Sequence, residues 1–241
     1  MKIKHTLTLL AIVTVLLAAC KKSANNTPPA KKLKYLTQTT AVRGTTTFIA
    51  YSTYDDKKRL STVKAGTSTT TYSYGGSDNN LVYIESVSSS PSFRETIEFT
   101  YASDGTLSSA HDVIYRNGAL SSDIVYNYLV VNGRITEIHH EGIYVDKYTY
   151  DDRGNVINVY LNKYNYNNVF SFDDKPSATT NGFPRYIINS SINFASPNNV
   201  VSNKGGNTYT YTYDTDGYPT GAIITDPTGA TTKTTYTYTE M

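Results

Sequence analysis

The sequence predicts an all-β protein, an antiparallel β-meander of repeated hairpins that forms one strongly twisted or rolled sheet of about 15 strands. Three observations support this fold class. Apolar and polar residues alternate with a period of two through much of residues 33–241, and no stretch there keeps the period of a helix. A Tyr-x-Tyr phrase with a following Asp/Gly turn recurs along the chain, and further short turn signals separate the alternating runs.

The recurring phrase is clearest at residues 99–105 (FTYASDG), 148–154 (YTYDDRG) and 211–217 (YTYDTDG). Looser copies occur at Tyr54, Tyr74, Tyr128, Phe172 and Tyr238. Each copy predicts a strand, a tight turn and a returning strand. Such a unit cannot bury its own apolar face, so it must stack on its neighbours.

Each strand is predicted to have one solvent-exposed face and one buried face. Residues 208–213 (TYTYTY) place three tyrosines on one side of an extended chain and three threonines on the other. That alternation is typical of antiparallel sheets, since parallel strands are covered on both sides.

Two kinds of tight turn are predicted between the strands. Asn117-Gly118 and Asn132-Gly133 favour two-residue hairpin turns, which need positive φ angles. The Asp/Gly turns of the repeat, and residues 226–229 (DPTG), favour type I turns, which a glycine bulge closes in the repeat copies.

Tyrosine dominates the candidate core. The chain has 23 tyrosines, 7 phenylalanines and no tryptophan. A tyrosine ring is large and apolar, but its hydroxyl group needs a partner or water. A rolled sheet around a modest core therefore fits better than a thick sandwich, and the sequence leaves open whether the sheet closes into a barrel.

Residues 173–185 (DDKPSATTNGFPR) interrupt the alternation. We expect an irregular excursion of about a dozen residues here, with room for one helical turn, and such insertions often carry the function of repeat proteins. The last strand, residues 231–239, could accept a strand from another protein or be capped by neighbouring structure, and capping is favoured.

Residues 1–19 are predicted to be a signal peptide. Lys2 and Lys4 precede an uncharged, mostly apolar run over residues 7–19, which is too short to span a bilayer. The run ends in residues 17–20 (LAAC), which resemble the lipobox of bacterial lipoproteins. The resemblance implies cleavage before Cys20 and attachment of lipid, including palmitate, to this sole cysteine; the alternative is a secretory signal with an incidental cysteine.

Residues 20–32 are polar and are predicted to be a lipidated cysteine with a flexible tether, leaving residues 33–241 as the β domain. The chain has 22 basic and 20 acidic residues, but Lys2 and Lys4 leave with the signal and five more lysines lie at the tether. The remaining body is slightly acidic, which argues against a nucleic-acid partner. Lys21, where lipoproteins kept in the inner membrane usually carry Asp, favours the outer membrane, with the periplasmic face preferred.

The repeated units resemble YD repeats, the β-hairpins of bacterial wall and toxin-shell proteins. Residues 196–200 (SPNNV), 209–214 and 216–219 are similar to the C-terminal part of Bacteroidota lipoproteins that carry a domain of unknown function. The resemblance implies a β-meander and no established activity. Residues 226–229 resemble the autoproteolytic Asp-Pro-x-Gly signature of the toxin shells. The motif that flanks this signature is missing, so self-cleavage is not expected.

No catalytic, cofactor or metal site is predicted. His139 and His140 are adjacent on a strand and should point to opposite faces. Residues 214–217 (DTDG) resemble the start of a calcium loop, but the closing acid would fall at Thr225. There is no Gly-x-Ser-x-Gly motif, and the sole cysteine is assigned to lipid, so a covalent nucleophile is not expected.

Together these features predict a non-enzymatic envelope lipoprotein, held on the membrane through Cys20, that binds or scaffolds a glycan or an envelope protein. Two alternatives remain at this stage. One is a periplasmic glycan hydrolase with an unrecognised carboxylate pair. The other is a purely structural partner of another outer-membrane protein.

Overall fold

A computed structural model describes residues 32–75, 80–89, 92–140, 143–185 and 196–241. Residues Leu33–Met241 form one compact unit. The predicted signal peptide, Cys20 and nearly all of the tether lie outside the described residues. In the described part of the chain, no helix is long and apolar enough to cross a membrane.

The described chain forms 16 strands and one short 3₁₀ helix, Asn162–Tyr164, which lies between β11 and β12. The strands are β1 (Lys34–Arg43), β2 (Thr46–Tyr54), β3 (Leu60–Ala65), β4 (Ser68–Tyr74), β5 (Leu81–Ser89), β6 (Ser92–Tyr101), β7 (Leu107–Arg116), β8 (Ala119–Val131), β9 (Arg134–His140), β10 (Tyr144–Tyr150), β11 (Val156–Leu161), β12 (Tyr166–Pro176), β13 (Asn198–Asn203), β14 (Thr208–Tyr213), β15 (Pro219–Thr225) and β16 (Thr231–Glu240).

Every strand pairs antiparallel with the next strand in sequence, and β16 pairs with β1, so the sheet closes into a barrel. The prediction of an all-β antiparallel meander is confirmed. The prediction of a rolled sheet of about 15 strands is corrected to a closed barrel of 16. Closure also covers β16 with β1, with Thr234 opposite Ala41, so the last strand is capped by neighbouring structure.

The apolar face of the sheet lines the inside of the barrel. In β14 the exposed and half-buried positions alternate, with the three tyrosines on the more buried side. The buried core extends over β5 to β11 and includes Ile84, Ile97, Phe99, Tyr126 and Ile138. The prediction of strands with one solvent-exposed face is therefore confirmed, and the side chains of the other face fill the barrel interior.

A tyrosine from the repeated phrase holds the open end of six hairpins. In each, the hydroxyl group at the end of an even-numbered strand donates a hydrogen bond of 2.7 to 3.0 Å to a backbone carbonyl near the start of the preceding strand. We call each bond a tyrosine clamp. The six pairs are Tyr54 with Leu36, Tyr74 with Leu60, Tyr101 with Leu81, Tyr150 with Ile135, Tyr211 with Val200, and Tyr238 with Pro219.

The clamps all lie at one end of the barrel, where even-numbered strands end and odd-numbered strands begin. We call it the tyrosine end. The clamp meets the need of a buried tyrosine hydroxyl for a partner, and it also satisfies a carbonyl next to a buried apolar position, such as Leu60.

The aspartate of the repeated phrase closes the turn to the next strand, as Asp214 does after Tyr213. Asp214 Oδ1 accepts backbone N–H bonds from Asp216 and Tyr218, at 2.9 and 3.0 Å. Gly217 has φ +87°, and its N–H donates to the Asp214 carbonyl. The strand register shifts just before, between Thr212 and Tyr213. The predicted type I turn with a glycine bulge is therefore confirmed here.

The same turn recurs after β2, β10 and β15, where Asp55, Asp151 and Asp226 accept the equivalent backbone bonds. The two Asn-Gly turns also follow the prediction, because both residues of each pair have positive φ angles. At Tyr54-Asp55 and Tyr150-Asp151 the two neighbouring residues have separate structural roles: the tyrosine bonds to the preceding strand, and the aspartate shapes the turn into the following one.

We expect the substitution Tyr101→Phe to lower the free energy of unfolding by about 1 to 2 kcal/mol, because it removes the clamp and leaves the Leu81 carbonyl without its bond. Urea denaturation would measure the loss. The matched control is Tyr51→Phe, since the Tyr51 side chain is 51% exposed. Equal losses in the two variants would contradict the proposed role of the clamp.

Candidate functional site

The irregular segment predicted at residues 173–185 begins later than expected. Strand β12 continues to Pro176, so the first four residues of the predicted excursion are strand. Residues 177–185 then form turns and bends without a helix, so the helical turn that the sequence allowed is not found among these described residues. We call residues 177–185 the cap segment.

The cap segment lies against the tyrosine end of the barrel. The Leu60 N–H donates to the Gly182 carbonyl at 2.7 Å. The Asn181 Nδ2 group donates to the Lys34 carbonyl at 2.8 Å and to the Tyr218 hydroxyl at 3.0 Å. These bonds join the cap segment to β1, to β3 and to the turn after β14, and so fix it on several repeats at once.

Gly182 allows the closest approach of the cap segment to the barrel. Its φ is +78°, and a Cβ atom added there would lie 2.6 Å from the Tyr54 ring and 2.9 Å from the Lys58 carbonyl oxygen. The next residue, Phe183, places its ring 6.3 Å from the Tyr54 ring, edge to face. Only glycine satisfies both the backbone angle and the contact.

A cavity of about 470 Å³ lies between the cap segment and the barrel, and we call it the cap pocket. Aromatic and aliphatic side chains form much of its wall, together with three basic side chains. The lining residues that matter most are Lys57, Arg59, Tyr74, Tyr101, Phe183 and Arg185. A concave, largely apolar cavity of this volume with a few polar groups has the character of a ligand site.

Arg59 is a basic side chain of the cap pocket that the fold holds in place. The Arg59 guanidinium lies 4.3 Å from the Tyr74 ring centroid and 2.6 Å from Asp55 Oδ2. Burial alone would raise the pKa of Asp55, but the hydrogen bonds from Arg59 outweigh it and the pKa lies below its usual value. Partial burial of its guanidinium lowers the pKa of Arg185, although the residue as a whole is exposed.

Residues 196–200, which carry part of the family resemblance, anchor the return of the chain into β13. Asn155 is fully buried, and its side chain exchanges two hydrogen bonds of 3.0 Å with Asn198. Asn199 donates to Asp173 and to the Pro176 carbonyl. The role of this motif is therefore to fasten the strands that flank the cap segment.

Sequence analysis compared residues 214–217 with the start of a calcium loop. In the structure their carboxylate groups are bonded to a lysine. The Lys34 ammonium group lies 2.7 Å from an Asp214 oxygen and 2.8 Å from an Asp216 oxygen. Burial acts to raise the pKa of Asp214, but the hydrogen bonds from Lys34 and the turn backbone lower it overall. The segment is a hairpin turn whose carboxylates are bonded to a lysine.

The two adjacent histidines point to opposite faces of β9, as the sequence predicts. His139 lies 2.9 Å from Glu137, while His140 lies 2.9 Å from the buried Asp146 and packs its ring against Tyr126. Among the residues that the structure describes, no group of three histidine, cysteine or acidic side chains could hold a metal ion.

A pair of acidic residues faces the barrel interior, which sequence analysis missed. Glu95 lies opposite Ile114, and Asp112 lies opposite Ile97, so the two acids are diagonal neighbours on one face of β6 and β7. Burial, and then the nearby Asp112, raise the pKa of Glu95. In the alternating pattern of the strands, these acids stand at positions that otherwise hold inward-facing apolar residues. That pattern could have revealed them in the sequence. Because Asp112 is only 1% exposed, the pair lacks the open access that a glycan hydrolase needs.

No family model matches the sequence, and no curated protein sequence matches it. Solved structures do match. A porin-like protein from Bacteroides uniformis superposes with a TM-score of 0.52 at 12% identity, over 85% of this chain and 96% of that one. The shared feature is the fold.

Two further structures match less well. A porin-like protein from Bacteroides vulgatus gives a TM-score of 0.43 at 10% identity, over 87% of this chain and 100% of that one. A TcdB2–TccC3–Cdc42 structure gives 0.30 at 18% identity, over 81% of this chain and 10% of that one. At these TM-scores neither likeness supports an argument about this protein.

We expect Gly182→Ala to push the cap segment away from the barrel. The matched control is Gly118→Ala, because Gly118 has the same φ of +78° but open space around its Cβ position. Gly182→Ala should cost about 1 to 3 kcal/mol more than the control, since a Cβ there collides with Tyr54. Hydrogen exchange at the Leu60 amide should accelerate in Gly182→Ala alone; unchanged exchange would contradict the packing described.

We expect Glu95→Gln to raise the melting temperature at pH 7. The raised pKa means that the stability contributed by Glu95 is present below its ordinary pKa of 4.5 and is lost as the pH rises through the higher, folded-state value. The advantage of the variant should therefore shrink as the pH falls through the folded-state pKa toward 4.5, and it should be gone below 4.5. Glu98→Gln, on the outer face of the same strand, controls for the change of charge. Equal pH profiles for the two variants would contradict the prediction.

Proposed function

We propose that this protein is a lipid-anchored envelope protein whose closed barrel is a water-facing, non-enzymatic binding module. The observation that supports the proposal is the distribution of side chains across the barrel wall. The interior holds the apolar core, and the outward positions of β6 and β16 are mostly threonine and charged residues, while large apolar side chains such as Leu120, Val125 and Leu129 are exposed on β8. A barrel that spans a membrane requires the reverse arrangement, with an apolar band facing lipid.

The outer wall shows this polarity on several strands. On β16, Thr231, Lys233 and Thr235 face outward, opposite the face of the buried Thr234. On β6, Arg94 and Glu98 alternate with the inward Ile97 and Phe99, and Arg94 is bonded to Glu85 of the neighbouring strand. A lysine or arginine at mid-bilayer would cost roughly 2 to 4 kcal/mol each, so a wall of this composition favours water.

Membrane attachment is therefore assigned to the chain before the barrel. Cys20 ends the lipobox-like run, and its thiol would carry the diacylglyceryl group. A lipoprotein of this type carries several acyl chains, which together hold a protein on a membrane far more firmly than one chain. The polar residues that follow Cys20 would act as a tether of roughly 20 Å reach. The proposed location is the periplasmic face of the outer membrane.

The cap pocket is the proposed binding site. It is the place where the insertion that interrupts the repeats meets them, and it combines apolar walls with basic side chains. The porin-like description of the Bacteroides uniformis protein suggests an envelope setting for this fold. The barrel interior here is packed with side chains, which favours binding at its end over passage through its centre.

Lipid attachment can be tested by growing cells that express the full chain with a palmitate analogue that can be tagged. The wild-type protein should take up the label and fractionate with membranes, whereas Cys20→Ser should take up none. Lys21→Ala is the matched control and should remain labelled. An unlabelled wild-type protein, or a labelled Cys20→Ser variant, would overturn the assignment of the anchor.

A further inference from the structure

We propose that the barrel has a second binding site, at the end opposite the tyrosine end, which takes one neutral sugar ring of a glycan. The site is a cavity of about 260 Å³, and we call it the far-end pocket. This inference goes beyond the proposed function, because it does not involve the cap pocket. The aromatic and polar side chains of the described lining are Tyr126, His140, Tyr144, Asp146, Lys163 and Tyr164.

The far-end pocket lies where odd-numbered strands end and even-numbered strands begin. His140 ends β9, Tyr144 begins β10 and Leu161 ends β11. The 3₁₀ helix Asn162–Tyr164 then follows β11 and supplies two further lining side chains. The described linings of the far-end pocket and the cap pocket have no residue in common. The two sites are therefore separate, and each can be tested without the other.

Tyrosine rings form the walls of the far-end pocket. Tyr126 is only 2% exposed, Tyr144 is half-buried and Tyr164 is 67% exposed, so the rings extend from the interior to the surface. The apolar C–H faces of a sugar ring suit such walls, since an aromatic ring offers a large apolar surface with a polar tip. The exposed Lys163 ammonium group lies 5.8 Å from the Tyr144 ring centroid and 5.6 Å from that of Tyr164. From there it can donate to a hydroxyl group of a bound sugar.

The polar groups of these walls are not used by the fold. Within the described part of the chain, the hydroxyl groups of Tyr144 and Tyr164 and the ammonium group of Lys163 make no hydrogen bond. The tyrosine clamps differ in this respect, because each of their hydroxyl groups already donates to a carbonyl, as Tyr101 does to Leu81. A sugar carries several hydroxyl groups that need partners once they leave water. The far-end pocket offers such partners, since a phenolic hydroxyl group both donates and accepts.

His140 adds an acceptor whose orientation is fixed. Its Nε2 atom lies 2.9 Å from Asp146 Oδ2, and Asp146 Oδ1 accepts the Asn162 N–H at 3.1 Å. Because the carboxylate can only accept, a neutral His140 carries its hydrogen on Nε2 and keeps Nδ1 as an acceptor. Nδ1 makes no hydrogen bond to any described residue. Asp146, which is 6% exposed, is therefore a positioning residue for His140.

The size and charge of the far-end pocket favour one neutral ring. Its volume is below the range of about 300 to 1,000 Å³ in which pockets hold drug-sized ligands. The described lining contains one acidic side chain, Asp146, and one lysine, Lys163, so its charge favours neither an anion nor a cation. Since Tyr164 is exposed at the edge of the cavity, the rest of a glycan chain could continue into water.

The experiment compares five probes on the full-length wild-type protein in a detergent without a sugar head group. Three are the methyl glycosides of glucose, galactose and mannose. Cyclohexanol has a ring with a single hydroxyl group, and sorbitol has the hydroxyl groups without a ring. Saturation-transfer NMR detects weak binding. We expect saturable binding of at least one glycoside, with cyclohexanol and sorbitol at least about tenfold weaker, because only a glycoside combines ring faces with several hydroxyl groups.

Variants then locate the site with the glycoside that binds best. Tyr164→Ala removes one wall and should weaken binding by roughly fivefold. Tyr51→Ala is the matched control, since Tyr51 is an exposed tyrosine on β2 outside the pocket, and it should bind as the wild type does. Tyr144→Phe keeps the ring and removes the hydroxyl group, with an expected loss of roughly fivefold. Gly182→Ala, which acts on the cap segment, should leave glycoside binding unchanged.

Three results would overturn the inference: no saturable binding of any glycoside, sorbitol or cyclohexanol binding as tightly as the best glycoside, or equal losses in Tyr164→Ala and Tyr51→Ala. The comparison of probes uses wild-type protein, so it stands even where a variant folds poorly. These outcomes are separate from the lipid-labelling test. An unlabelled protein that binds a glycoside would keep the far-end site and lose the anchor, whereas a labelled protein that binds none would keep the anchor and lose this site.

Discussion

The tyrosine clamp is the interaction on which the rest of the structure depends. A hairpin with a tight turn at one end tends to separate at the other, and the clamp bonds that open end in six of the repeats. Phenylalanine could fill the same volume but could not make the bond. The clamp explains why this core uses tyrosine so heavily, because one side chain supplies both apolar area and a bond to the adjoining strand.

One repeat position that cannot form a clamp lies beside the candidate site. Phe172 occupies a repeat position without a hydroxyl group, and four residues later β12 ends and the cap segment begins. On the neighbouring β11, the Val156 N–H bonds to Ser196, from the far side of the insertion. The repeat is thus interrupted where its characteristic bond is missing, and polar contacts from the insertion hold the strands there. This arrangement places the cap segment against repeats that are themselves fully clamped.

Much of the wall could be predicted from sequence because its determinants are local. The alternation of threonine and tyrosine predicted that the tyrosines of β14 face inward. The Asn-Gly and Asp/Gly pairs predicted turns with positive φ angles. Closure could not be predicted, since it depends on contacts such as that of Thr37 with Thr237, 200 positions apart. The cap pocket could not be predicted for the same reason, because Arg59 lies in the turn after β2 and Arg185 lies in the cap segment, and no local sequence pattern links them.

Closure between the first and last strands has a consequence for how the protein is made. The seam between β1 and β16 cannot be completed until residue 240 has been synthesised, so the growing chain must hold an open sheet with two unpaired edges. Such edges invite pairing with other chains, so the partly folded sheet is prone to aggregate. A premature stop after β15 would make the hazard permanent, whereas loss of Met241 alone would remove only its backbone bond to Leu33 and leave the pairing of β1 with β16 in place.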